Sequence, residues 1–171
     1  MKCLALLLLL PLYSLGQNCN LKTERDPYTK ELKISTGFIK LNPEASNIRL
    51  SIEATSTEID FLFVLQDGKQ ALCFDKQSTA TVFYDGTRLK SNIRNAGSMN
   101  CEGLFSFNFK NSQSTPSILK NLAEKKLGSI KFTTSSKIEK EVLLTVEDQE
   151  AIMQLTTCIL EEAKGLIKKP L

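Results

Sequence analysis

The chain is expected to fold as an α+β protein, mainly antiparallel β-sheet in a sandwich-like arrangement, with a short helix near residues 116–126 and an amphipathic C-terminal helix near residues 147–168. Three patterns point there. Segments between residues 48 and 109 alternate apolar and polar side chains at the two-residue period of a strand. Asp67-Gly68 and Asp85-Gly86 fall between such segments as hairpin signals. Beyond residue 147 the apolar residues recur every three or four positions, the period of a helix with one buried stripe.

The elements follow in order. The opening MKCLALLLLLPLYSLGQ carries one cation at Lys2, an apolar run from Cys3 to Leu12 and small residues at Ser14 and Gly16, the layout of a secretory signal cleaved after Gly16. The run is shorter than the roughly 20 residues a membrane-spanning helix needs, and no later segment approaches that length. No transmembrane segment is therefore expected. Gln17 and Asn18 separate Gly16 from Cys19, so the cysteine does not stand where a lipid anchor would require it. The expectation is a secreted or periplasmic chain whose residues 17–171 form a single disulfide-stabilised α+β domain. A domain of about 150 residues buries roughly 68–70% of the surface its unfolded chain exposes, enough for a sizeable core.

Within CNLKTERDPYTKELK, the stretch Asp26-Pro27-Tyr28-Thr29 reads first as a turn. Aspartate before proline is pushed from the α region, proline fixes the next φ, and the Asp26 carboxylate can accept from the backbone two residues on. Asp26, Tyr28 and Thr29 are retained as surface candidates. The turn joins a segment from Cys19 to Arg25 to a strand from about Glu31.

Ile48 to Ala54 alternates as a half-buried strand, with Arg49, Ser51 and Glu53 on its polar face. Phe61 to Leu65 is apolar on both sides and reads as a central strand, turning at Asp67-Gly68 into a strand from Gln70 to Phe74. TATVFYDGTRL gives a second hairpin at Asp85-Gly86. Phe105, Phe107 and Phe109 share one face, a row that reads as core in preference to a groove for an apolar ligand. Ser114-Thr115-Pro116 opens the short helix, proline at its first position, and Gly128 stops it. Strands Ser129 to Thr134 and Ile138 to Val146 follow. Thr145 with Asp148 gives a capping box at the start of the last helix, whose stripe is Ile152, Leu155, Ile159, Ala163 and Leu166.

Four cysteines follow the leader: Cys19, Cys73, Cys101 and Cys158. They lie too far apart for the close pairs that zinc favours, and an even count in an exported chain reads as two disulfides. Sequence alone does not rank the three connectivities. Cys73–Cys101 with Cys19–Cys158 is preferred, because the first would tie neighbouring strands and the second would pin the start of the chain to the last helix. Chain-entropy arguments give these roughly 3.5 and 5 kcal/mol as upper estimates.

Composition excludes several chemistries. The chain has no histidine, which removes Ser-His-Asp and Cys-His catalysis, histidine metal sites and histidine pH switching. Phosphate-cradling glycine loops and EF-hand calcium loops are missing, so no metal and no cofactor is expected. Losing Lys2 with the leader lowers the formal charge from +3 to +2, too little for a nucleic-acid footprint. Lys125-Lys126 and Lys168-Lys169 sit where helices end, offsetting the negative end of the dipole. What remains for catalysis is paired carboxylates or a serine-lysine dyad, with Glu58 and Asp60 projecting from one strand face and Asp67, Asp75 and Asp85 near turns.

The cysteine behind the leader, the string Arg25-Asp26-Pro27-Tyr28-Thr29, the Phe83-Tyr84-Asp85-Gly86 turn, Cys101 after a polar stretch and Cys158 in a terminal helix together resemble a group of exported Bacteroidetes proteins with no assigned function. In that group the early motif tends to read Asp-x-Phe-Thr-Gly; here Tyr28 stands for the phenylalanine and Lys30 for the glycine. The resemblance implies an exported bacterial β-rich domain with a terminal helix, and brings no catalytic residues. The expected function is a non-enzymatic binding or interaction domain, monomeric or weakly oligomeric, with a protein or envelope partner and no nucleic acid. The alternative is a carboxylate-dependent hydrolase acting on envelope or extracellular material. A cleft holding Glu58 and Asp60 with a third acidic group would favour the hydrolase; an open, solvated strand face would remove its support.

Overall fold

The structure, a computed structural model, describes residues 19–42, 47–66 and 72–167. In chain order it contains β1 Lys22–Arg25, β2 Leu32–Ser35, β3 Ile39–Leu41, β4 Asn47–Ala54, β5 Glu58–Gln66, β6 Thr79–Tyr84, β7 Lys90–Arg94, β8 Leu104–Lys110, α1 Ser117–Glu124, β9 Leu127–Thr133, β10 Glu139–Leu143 and α2 Val146–Leu166. The strands form two antiparallel sheets. One runs β1-β2-β4-β5-β8 with β3 also paired to β4, and the other runs β10-β9-β6-β7. The architecture is thus α+β, sandwich-like, with one of its two helices at the C-terminal end. The leader, Asp67-Gly68, Gln70 and Lys168-Lys169 lie outside the described residues.

β2 and β3 are two halves of one strand along β4. Ser35 pairs with Glu53, but Ile39 pairs with Leu50, a slip of one residue. Thr36 spans the gap: its N–H donates to the Ile52 carbonyl at 2.9 Å, and its hydroxyl accepts from the Ile52 N–H at 3.0 Å. Gly37 follows at φ 65°, the conformation a bulge of this kind asks for and an L side chain resists.

Alternation decides the faces. Leu50 and Ile52 of β4, Phe61 and Phe63 of β5, and Phe105 and Phe107 of β8 point inward, buried to 2% exposure or less. The phenylalanine row is therefore core: the Phe105 and Phe107 rings meet edge-on at 5.6 Å, and Phe132 of β9 approaches Phe105 at 5.1 Å and Phe63 at 5.3 Å, tying the second sheet to the first. Burying each such ring contributes about 1.5–3 kcal/mol. Ile152, Ile159 and Ala163 of α2 join the same cluster, and α2 packs against β2, β4 and β9. Its first turn carries the expected capping box: Asp148 N–H donates to Thr145 Oγ1 at 3.2 Å, and Thr145 N–H to Asp148 Oδ2 at 3.0 Å. The same Oδ2 accepts the Asn42 N–H at 3.0 Å, which holds the end of β3 to the start of α2.

Several expectations need correction. Of the strand expected over Gln70 to Phe74, the described residues 72–74 do not pair with β5; its partners are β4 and β8, and Phe74 makes an isolated bridge to Asn100. β5 is central, as expected, and on its outer face Val64 is buried and Leu62 half-buried. The second hairpin turns more widely than Asp-Gly alone requires, with Thr87, Arg88 and Leu89 in the turn before β7. Pro116 is the N-cap of α1, not its first helical residue, and no side chain caps it. Gly128 does not stop α1. The helix ends where Lys125 becomes extended, and Gly128 lies inside β9, whose pairing to β6 begins at Leu127 opposite Tyr84. β10 ends at Leu143, because Thr145 and Val146 are taken by the start of α2.

The disulfides join Cys19 to Cys158 and Cys73 to Cys101. Such bonds belong to an oxidising, extracellular setting. No described helix is long and apolar enough to cross a membrane.

Candidate functional site

The outer face of the first sheet is polar where the inner face is aromatic. Register places Ser35, Glu53, Asp60 and Asn108 in one row across β2, β4, β5 and β8. Glu53 and Asp60 are thus directly opposite, an arrangement of like charges that destabilises a sheet unless something offsets it. Lys33 Nζ lies 3.0 Å from Glu53 Oε2, and Ser35 Oγ donates to Glu53 Oε1 at 3.3 Å. Ser106 Oγ lies 2.7 and 2.9 Å from the two Asp60 oxygens. Asn108 Nδ2 donates to Glu58 Oε2 at 2.8 Å, and Lys110 pairs opposite Glu58.

Ala96 and Gly97 raise one wall above this row, closing a groove of about 360 Å³ over Lys33, Glu53, Glu58, Asp60, Ser106 and Asn108. Asn95, buried, holds the wall in place. Its Oδ1 accepts from Gly97 N at 3.2 Å and Ser106 N at 2.9 Å, while Nδ2 donates to Asp75 O at 3.1 Å. Ala96 N–H adds a bond to Ser106 O at 2.9 Å.

The three carboxylates are not equivalent. Glu53 has a cation at hydrogen-bond distance, and Glu58 is exposed. Asp60 has a hydroxyl as its partner, and its proton affinity is raised. Burial pushes its carboxyl above the ordinary aspartate value, the Ser106 hydrogen bond opposes this, and the charges of Glu58 and Glu53 add to the rise.

Asp26, Tyr28 and Thr29 lie elsewhere, at the tip of the β1–β2 hairpin. Asp26 Oδ1 accepts from Tyr28 N at 2.8 Å and Thr29 N at 2.6 Å, the two backbone bonds, Thr29 foremost, that hold its carboxyl below the ordinary value. Thr29 Oγ1 accepts from Glu31 N at 3.3 Å. Lys30 adopts φ 59°, the left-handed conformation that a glycine would take more easily, and Arg25 braces it by donating to its carbonyl at 2.9 Å. Tyr28 is 92% exposed. The tip is an ordered turn, closed by its own backbone and side-chain bonds.

Of the other acids, Asp75 closes the turn before β6. Its carboxyl is held below the ordinary value by the hydroxyl of Ser135 first, then that of Ser78 and the N–H groups of Gln77 and Ser78. Asp85 is exposed and Asp67 lies outside the described residues. A second depression of about 450 Å³ lies between α1 and α2, with Lys120, Glu124, Glu161 and Lys164 on its rim. Among the described residues no three His, Cys, Asp or Glu side chains converge as a metal site would require.

Sequence reasoning placed Glu58 and Asp60 on one face but missed Lys33, Glu53, Ser106 and Asn108 as their neighbours. The available signal was alternation: Glu53 stands on the polar side of its strand, as Ser106 and Asn108 do on theirs. Strand order, which alternation does not carry, was the missing part. No protein-family model, curated protein or solved structure matches this chain.

Proposed function

We propose that this chain is an exported, non-enzymatic binding domain, secreted or periplasmic after cleavage following Gly16, that holds a protein or envelope partner on the outer face of its first sheet. The observation that carries the reading is the groove. It presents carboxylates, hydroxyls and an amide on rigid strands, and each acidic group already has a stated partner that fixes its position. Preset polar groups of this kind orient a polar partner at little entropic cost. The inner aromatic row is filled by core packing, which directs the ligand class away from small apolar molecules.

A carboxylate-dependent hydrolase is the second reading, and one specific observation favours it. Glu53 supplies a third acidic group opposite Asp60, whose proton affinity burial raises, and facing carboxyls in a groove are what carboxylate acid-base chemistry uses.

Both readings meet in one experiment: amide chemical-shift mapping of the full mature chain titrated with an N-acetylglucosamine oligomer and with an oligolysine peptide, followed by assay for new reducing ends. The binding reading expects shifts at Lys33, Glu53, Asp60 and Asn108, lost in a Glu58→Gln/Asp60→Asn variant, with no product. Reducing ends that vanish in that variant would replace it with the hydrolase. Shifts confined to Tyr28 and Thr29, or none with either probe, would overturn the groove as the site.

A further inference from the structure

The two disulfides sit in opposite surroundings. Cys158 is fully buried on α2, joined to a half-buried Cys19. Cys101 is exposed, joined to a half-buried Cys73, in loops that lead into β8 and β6. Thiol–disulfide exchange needs a thiolate to reach one sulfur along the bond, so access separates the two before chemistry does.

The segments that Cys73–Cys101 joins are also held without it. Phe74 N–H donates to Asn100 O at 2.8 Å and Asn100 N–H to Phe74 O at 2.9 Å. The Asn100 side chain donates to Leu104 O and accepts from Leu104 N, both at 3.0 Å. Gly103 N–H reaches Leu72 O at 3.2 Å, and Gly103 O accepts from Leu65 N at 2.9 Å. Gly103 stands at φ 74°, where any Cβ would collide with the Leu65 carbonyl, so the loop is seated on β5 by backbone contact alone. A bond whose neighbours are fixed in this way can open and close without unfolding what surrounds it. Cys19–Cys158 differs, because it spans 139 residues and ends at a fully buried Cys158.

We infer that Cys73–Cys101 is a reversible thiol–disulfide exchange site, opened by attack at the exposed residue Cys101 while Cys19–Cys158 stays closed. The co-reactant is a dithiol. Its first thiolate bonds to Cys101 Sγ, the Cys73–Cys101 bond breaks, and the electron pair leaves on Cys73 Sγ, which takes a proton from water. The second thiolate of the dithiol then attacks its own sulfur in the mixed disulfide and releases Cys101 as a thiolate. Two electrons pass to the protein and the dithiol is oxidised to a disulfide. This inference stands apart from the proposed use of the groove, and neither depends on the other.

The test uses the mature chain in graded dithiothreitol, trapped with iodoacetamide and mapped by peptide mass. Label should enter Cys73 and Cys101 at least about tenfold faster than Cys19 and Cys158, since rate follows thiolate access. Near-ultraviolet circular dichroism should persist, and the bond should return when the reductant is removed. Labelling of all four cysteines at one rate, of Cys19 and Cys158 first, or loss of the dichroism in step with Cys101 labelling would each overturn the inference. A Cys73→Ser variant gives a second check: it should fold and take up glutathione from glutathione disulfide at Cys101. A variant that does not fold, or folds and stays unmodified, would also overturn it.

Discussion

The two faces of the first sheet are built from the same strands and obey opposite rules. Inward, Phe61, Phe63, Phe105 and Phe107 pack on one another, Phe63 and Phe105 meet Phe132 of the second sheet, and no polar atom needs a partner. Outward, one residue further along each strand, every side chain of the central row carries a polar group, and two carboxylates face each other across β4 and β5. The inner face is stabilised by area, which is additive and tolerant of which ring supplies it. The outer face is stabilised by pairing, which fails if one partner is removed. A sheet that accepts Glu53 opposite Asp60 on one side does so because the other side supplies the stability.

The comparison can be broken most forcefully from the inner face. Phe107→Ala should cost about 3–5 kcal/mol, because it opens a cavity among the rings of Phe61, Phe63 and Phe105. Denaturant unfolding measures it, and a cost below about 1 kcal/mol would mean that the inner face is not what holds the sandwich together. The next largest effect belongs to the groove wall. Asn95→Ala leaves Gly97 N and Ser106 N without their acceptor and should cost about 1–3 kcal/mol, with faster amide exchange at Gly97 and Ser106. An unchanged exchange rate would show that Ala96 and Gly97 hold their place unaided.

The smallest effect is electrostatic and runs with pH. The Asp60 carboxyl binds its proton more tightly folded than unfolded, where the ordinary value is about 3.9. Between that value and its raised folded one the native state holds more protons, so stability falls as pH rises through this window. The penalty is fully present above the folded value and absent below the unfolded one. Asp60→Asn should flatten that fall. The difference is the smallest of the three, because solvent screens a half-buried carboxyl. Urea midpoints of the two proteins across the window check it, and parallel curves would place the proton elsewhere.

Much of the inner face was legible beforehand. The alternation in β4 and β8 announced which side each residue faces, and the Thr145 and Asp148 pair announced where α2 begins, because both signals are local. The disulfide pairing was legible as a preference resting on which segments such bonds could tie. The end of α1 was not, since Gly128 carries a stop signal that strand pairing with β6 overrode. The strand proposed after Asp67-Gly68 failed for a related reason: a hairpin signal says that a chain can turn, but not that its flanks will pair.

The groove shows the same division most clearly. By itself the sequence determined the two periods, the four cysteines of an oxidising setting, the absence of histidine chemistry and the polarity of each strand face. Tertiary structure alone decided that β5 lies between β4 and β8, which sets Asp60 opposite Glu53 and brings in Ser106 from 46 residues away and Asn108 to Glu58 from 50. A strand's own residues fix which side is wet, but its neighbours are chosen by burial of the whole aromatic core, and that choice is made at a distance along the chain that no local pattern records.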